Sequence, residues 1–283
     1  MHRVIFDDVR PSPIAGQWYP GNPDYLAATV DRMLDEAPAV RVPGRIMGLI
    51  APHAGYVYSG AVAARAFRLV RGMSFERVVV VSPMHHVYFD PILTTAHQAY
   101  QTPLGLIPVD REMLTELARR IPIKPVVRDP EHSLEIELPF LQRALGEPFS
   151  LVPLMLRDQT YRTAERLGQA IAEVLGPESG STLLVASSDL SHFYTQAQAE
   201  VLDRVVLERI EAFDPVGVIR VEDEGRGFAC GRGAIATVLV AARALGADSA
   251  RVVGYGTSAD ATGDTQRVVG YGAAVIYKSE DRE

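Results

Sequence analysis

Leu26, Val30, Met33 and Leu34 recur at helical spacing in NPDYLAATVDRMLDEA (22–37), with polar or small residues at most positions between them. With Asn22 as a cap and Pro23 at the first helical position, the stretch predicts a helix with one core-facing side. The pattern then changes. RIMGLIA (45–51) and RVVVVS (77–82) are short apolar runs, which predict buried strands, and GAVAARAFRLV (60–70) between them predicts a helix. The alternation continues with strands at SLVPLML (150–156), STLLVASS (181–188) and two late segments. Amphipathic helices are predicted near 110–120, 131–145, 160–175, 196–213 and 231–245.

Buried strands separated by such helices predict an α/β fold with a largely parallel central sheet covered by helices on both faces. No polar, Gly/Ser-rich or single-charge stretch is long enough to be a linker, so the expectation is one domain over residues 1–283. RVVGYG occurs twice, at 251–256 and 267–272, too close for a repeat architecture. The two copies predict sheet strands joined by the polar loop TSADATGDTQ, with glycines where another backbone passes closely.

Composition narrows the class. Hydrophobic residues make up 47% of the chain, enough for a large core. A net charge of −7, with Lys and Arg dispersed among acids, offers no footprint for nucleic acid or an anionic membrane. No apolar run approaches the roughly 20 residues needed to cross a bilayer. MHRVIFDDVRPSP at the start lacks the layout of a signal peptide, so a cytoplasmic location is expected. The single cysteine, Cys230, excludes an intrachain disulfide.

The chemistry gathers where apolar strands stop. GLIAPH ends in His53, VVVVSPMH in His85 with His86 beside it, and LLVASSDLSH in Asp189 and His192. In open α/β sheets ligands bind outside the carboxyl ends of the strands, so strands that each deliver a histidine there predict a convergent polar site. Neighbouring side chains point in different directions, so one of His85 and His86 enters the site, and spacing does not choose between them. Cys230 falls at or just before a predicted helix N-terminus, where the dipole and free N–H groups favour thiolate, and Gly231, Arg232 and Gly233 imply close backbone approach and local positive charge. In DPEHSLEIELPFLQRAL (129–145), His132 and Glu135 are three apart and would share a helix face as outer support for a ligand, with Pro139 ending or kinking that helix.

GQWYPG (16–21), APHAGY (51–56), PMHH (83–86), EHSLEIELPF (131–140), SSDLSHF (187–193) and CGR (230–232), in this order, resemble the Memo-like family, the type called AmmeMemoRadiSam system protein B. The resemblance covers essentially the whole chain. It implies a fold similar to the class III extradiol ring-cleaving dioxygenases, which hold non-haem Fe(II) with two histidines and a glutamate and use a further histidine as acid/base. By motif it implies His53 and His85 as histidine ligands, Cys230 where those dioxygenases place their glutamate, and His192 as the acid/base, with Asp189 beside it. It also implies bound iron or copper, an unknown small-molecule substrate, and AMMECR-type and radical-SAM partner proteins. A eukaryotic member is described as a cell-motility mediator that contacts a phosphorylated receptor.

Because a thiolate stands in for the carboxylate, the donor set is softer and also accepts zinc, so the expectation is redox-active metal binding rather than ring cleavage. Two other readings remain open on these residues. One is a metal-free enzyme with Cys230 as nucleophile and His192 as its base. The other is a non-catalytic module that uses the same crevice to bind a partner.

Overall fold

The computed structural model describes residues 6–280. The first five residues of the N-terminal stretch read against a signal peptide therefore lie outside the described residues. Helix α1 (Pro23–Glu36) forms where its pattern predicts, and the Asn22 side chain accepts the Tyr25 N–H at its start. Strand β1 (Val9–Arg10) precedes it; β2 (Gly44–Ala51), helix α2 (Tyr56–Phe67) and β3 (Arg77–Pro83) follow. Helix α2 begins four residues before the predicted 60, since Gly55 caps it and the β-favouring Tyr56, Val57 and Tyr58 form its first turn.

The segment after β3 holds short elements with too few residues to show a period: β4 (Ile92–Thr95), β5 (Ala99–Thr102), β6 (Gly105–Pro108), α3 (Arg111–Ala118) and β7 (Lys124–Val126). Strands β1, β5 and β6 make a small separate sheet. The helix predicted over 131–145 is only half present. Residues 131–134 are irregular, Glu135–Glu137 form a 3₁₀ turn, and α4 covers Leu138–Ala144. Pro139 sits in the first turn of α4 and so opens a helix rather than ending one, because its missing N–H has no partner to lose there.

The rest of the chain supplies β8 (Ser150–Leu156), α5 (Tyr161–Leu175), β9 (Thr182–Ser187), β10 (Asp189–Tyr194), α6 (Gln196–Glu211), α7 (Pro215–Asp223), α8 (Arg232–Ala244), β11 (Ser249–Thr257), α9 (Ala259–Thr262) and β12 (Val268–Ser279). The nine-stranded sheet runs β10-β12-β2-β9-β3-β8-β4-β7, with β11 paired to β12. Its centre, β2-β9-β3-β8, is parallel as predicted. The pairings of β10, β11 and β2 with β12, and of β4 with β8, are antiparallel, so the sheet as a whole is mixed.

Helices flank the sheet. Helix α2 packs against β2, β11 and β12 with α1 and α4 around it, while α8 packs against β2, β3, β8 and β9 with α5 and α7 around it. The main hydrophobic core runs from Ile14 to Ile276, and Ala164, Ile219 and Ala236 form a small second cluster. The two RVVGYG copies lie in sheet strands as predicted, apart from Arg267 just before β12, and the strands are antiparallel neighbours. Their glycines make room for side chains rather than backbone: a Cβ on Gly270 would meet the Asp203 carboxylate, and one on Gly254 would meet Arg65. Among the described residues, no helix is long and apolar enough to cross a membrane.

Candidate metal centre

Ala51 of β2 lies opposite Ser187 of β9, and Val81 of β3 opposite Ala186, so the carboxyl ends of these strands are level. His53 leaves β2 just past that edge and His85 leaves β3, on either side of β9. Cys230 arrives from the loop before α8, which can lie against β9 only because residue 231 is glycine. A Cβ there would stand 2.3 Å from the Ser187 carbonyl oxygen.

His53, His85 and Cys230 each offer one donor atom within 4.8 Å of the others. His86 is exposed and lies outside this group. The orientation of each imidazole follows from its other nitrogen. Ser187 Oγ donates to the Ser133 carbonyl at 2.6 Å, so it receives the His53 Nδ1–H at 2.9 Å. His53 Nε2 then presents its lone pair 3.1 Å from Cys230 Sγ. His85 Nδ1 lies 2.9 Å from a Glu131 carboxylate oxygen, which leaves Nε2 as its free donor. Burial, followed by the neighbouring His132 and His85, lowers His53 well below the usual imidazole range, and a neutral imidazole is the ligating form. His85 is the exposed member and gives the cluster its opening.

Glu131, within EHSLEIELPF, is a further residue of the site. Its buried carboxylate accepts the His85 N–H at 2.6 Å, His85 Nδ1–H, and the N–H groups of His132 and Ser133 at 3.0 Å each. Burial alone would raise this carboxyl, but those hydrogen bonds and the facing His85 and His132 outweigh it and hold it well below the usual carboxylate range. Glu131, His85 and His132 form a second trio with ligand spacing. Four hydrogen bonds already engage the carboxylate there, so its role is to orient His85. Glu131→Gln is therefore expected to weaken metal binding by about 10- to 100-fold with the fold intact, as read by titration with a chelator competitor.

His132 lies in the site rather than behind it. Its ring stacks on His85 at 4.8 Å between centroids and meets Trp18, from the GQWYPG segment, at 4.2 Å. Burial lowers it to about 4 against the opposing effect of Glu131. Glu135 does not share a helix face with His132, because residues 131–134 are not helical. Its carboxylate instead accepts from Arg10, Ser12 and Tyr19. Arg10, itself buried, also pairs with Asp129 at 2.6 Å and donates to the Glu131 carbonyl at 2.7 Å, so Glu135 anchors the 129–135 loop through Arg10.

Asp189 and His192 lie on the edge strand β10, not on a parallel strand, and each side chain has its own hydrogen-bond partner rather than the other. Asp189 accepts the His53 backbone N–H at 2.7 Å; burial raises its carboxyl to about 7 against the hydrogen bonds from His53 and Ala54. The His192 Nδ1–H goes to the Leu190 carbonyl at 2.8 Å, leaving Nε2 free, and burial lowers this imidazole. The next residue, Phe193, is held at φ +66° with its ring exposed, at an irregular step of the β10–β12 pairing.

The thiolate expectation for Cys230 is corrected in two respects. The thiol is half-buried, and its desolvation, with Asp189 nearby, pushes it well above its usual range. Arg232, expected to supply positive charge, pairs instead with Asp223 at 2.7 Å and Glu222 at 3.6 Å. A cation in the group would reverse the balance, since coordination deprotonates a thiol outright. The imidazole hydrogen-bonded to Cys230 is that of His53, so the pairing with His192 required for a cysteine–histidine nucleophile is not formed.

The model of the family described as Memo-like protein matches residues 10–275. A MEMO1 family protein of Nitrosopumilus maritimus is 36% identical over 264 residues, covering 91% of this chain and 95% of that one. Another, of Methanopyrus kandleri, is 35% identical over 280 residues, covering 95% and 99%. A third, of Methanothermobacter thermautotrophicus, is 34% identical over 266 residues, covering 90% and 96%. With the family model matching from the Arg10 clamp to β12, the chain belongs to the Memo-like protein family.

Proposed function

We propose that this protein binds one redox-active metal ion, iron or copper with zinc as a further candidate, through His53 Nε2, His85 Nε2 and Cys230 Sγ, and acts as a non-haem oxidoreductase. The observation that carries this reading is the convergence of three donors while each histidine's other nitrogen is committed to a defined acceptor. Such an ion would supply one-electron chemistry and Lewis acidity at the strand ends.

The protein's own groups then have distinct tasks. Glu131 and Ser187 hold the two imidazoles in their Nδ1–H tautomers. Asp189 holds the backbone of His53. His192 keeps a free Nε2 and serves as general acid/base toward substrate. A cleft of about 480 Å³, lined by Trp18, Ala54, Tyr58, Phe193, Arg267 and Tyr271, lies beside these residues and receives a small-molecule substrate. Association with AMMECR-type and radical-SAM proteins and a cytoplasmic location belong to the same proposal.

Elemental analysis of protein purified without an affinity metal and under low oxygen, beside Cys230→Ser, tests the reading. Near-stoichiometric iron or copper that falls in the variant is the expected result. Metal-free wild type, even after anaerobic reconstitution, overturns it.

A further inference from the structure

Behind His53 lies a carboxyl group that the proposed chemistry leaves without a task. Glu137 closes the 3₁₀ turn before α4, is wholly buried, and has both oxygens without a hydrogen-bond partner among the described residues. An ionised carboxylate in that position would be uncompensated. The groups that act on it are the Ser187 hydroxyl and, repulsively, Asp189; from α2 it is faced by Tyr56. None of these is a cation, and the Tyr56 hydroxyl already donates to the Ile136 carbonyl at 2.9 Å.

Ser187 determines what Glu137 must be. A serine hydroxyl has one proton and two acceptor lone pairs. The proton goes to the Ser133 carbonyl, one lone pair takes the His53 Nδ1–H, and the remaining capacity is for a donor. A carboxylate has nothing to donate, whereas a carboxylic acid has one O–H. Both Glu137 oxygens lack a partner and Ser187 is the hydroxyl that acts on this carboxyl, so an acid O–H turned toward Ser187 Oγ would complete the set.

We infer that Glu137 is a neutral carboxylic acid that donates to Ser187 Oγ and, through that hydroxyl, holds His53 in the Nδ1–H tautomer with Nε2 turned toward Cys230. It is a positioning residue. Burial, with Asp189 adding to it and against the Ser187 hydroxyl, pushes its carboxyl well above the usual range, in agreement with this state. The consequence for a metal rests on the function proposed above. His85 donates to an ionised carboxylate and His53 to a hydroxyl backed by a neutral acid, so the two imidazoles become unequal donors and the site carries one negative charge fewer.

The first test needs no metal. In the infrared difference spectrum of wild type minus Glu137→Gln, the carbonyl stretch of a neutral carboxylic acid is expected as a band missing from the variant and retained in an Asp189→Asn control. The second is the pH dependence of unfolding. A carboxyl raised in the folded state contributes stability that is present below its ordinary value of 4.5 and is lost as pH rises. Wild type therefore falls behind Glu137→Gln progressively from about pH 5 upward. Absence of the band, or a stability gap that does not change with pH, overturns the inference.

Cobalt(II) as a spectroscopic probe supplies a third readout: Glu137→Gln, a neutral donor of the same shape, binds like wild type, and Glu137→Leu binds about 10- to 100-fold more weakly. Weakened binding in the Gln variant also overturns the inference. Failure of every form to bind cobalt, with the band and the pH slope present, supports the neutral acid and removes the metal reading alone.

Discussion

Protein carrying His53→Ala and His85→Ala together is expected to take up no iron or copper while keeping its fold, with metal content near zero by elemental analysis beside a metal-loaded wild type. Only Cys230 of the three converging donors then remains, and a single half-buried thiol has no chelating partner to hold it as thiolate. Each substitution has a structural cost: loss of the His53 ring strips a donor from Ser187, and loss of the His85 ring strips one of four donors from the buried Glu131 carboxylate, about 1–3 kcal/mol each. A large core tolerates that, so loss of metal is separable from loss of fold by circular dichroism. His86→Ala is the control: its exposed ring is outside the cluster, and metal content stays at the wild-type value. Full metal content in the double variant would sink the assignment.

Arg10→Met is expected to be the most damaging single substitution for stability, by about 3–5 kcal/mol in urea unfolding. The guanidinium is buried between the fully enclosed carboxylates of Asp129 and Glu135 and lies over the Tyr100 ring at 4.6 Å. Removing the cation leaves both acids buried without their partner. Combining Arg10→Met with Asp129→Asn and Glu135→Gln should recover much of the loss, because the neutral amides need no counter-charge. If the single variant instead unfolds at the wild-type urea midpoint, the clamp carries no stability. The same substitution also frees the Glu131 carbonyl, so the loop that presents Glu131 and His132 loosens.

The stretch 129–145 shows why part of the site was not legible along the chain. Its leucines have helical spacing, and the first turn of α4 does bury Leu138 and Leu141. The preceding residues are held out of a helix by contacts from 46 to 125 positions away: His85 on Glu131, Arg10 on Glu135, Tyr19 on Glu135. No local pattern encodes such partners. Glu131 could have been suspected as an acid next to a histidine after Pro130, but Ser187 and Glu137 carry no signal of their own.

What the chain determines by itself is the scaffold and the inventory of chemistry. Apolar runs such as VVVV must be buried on both faces, the helices between them must cover the sheet, and the motifs put His53 and His85 just past two strand ends, since periodicity and turn chemistry are local. Tertiary structure decided the rest. It placed β9 between β2 and β3, so that His53 and His85 converge over Ser187; it brought Cys230 against β9 past a glycine; and it put Asp189 on the His53 backbone instead of on His192. The physical reason is that hydrogen-bond partners and protonation states depend on burial and distance between remote segments, and neither quantity exists until the sheet has formed.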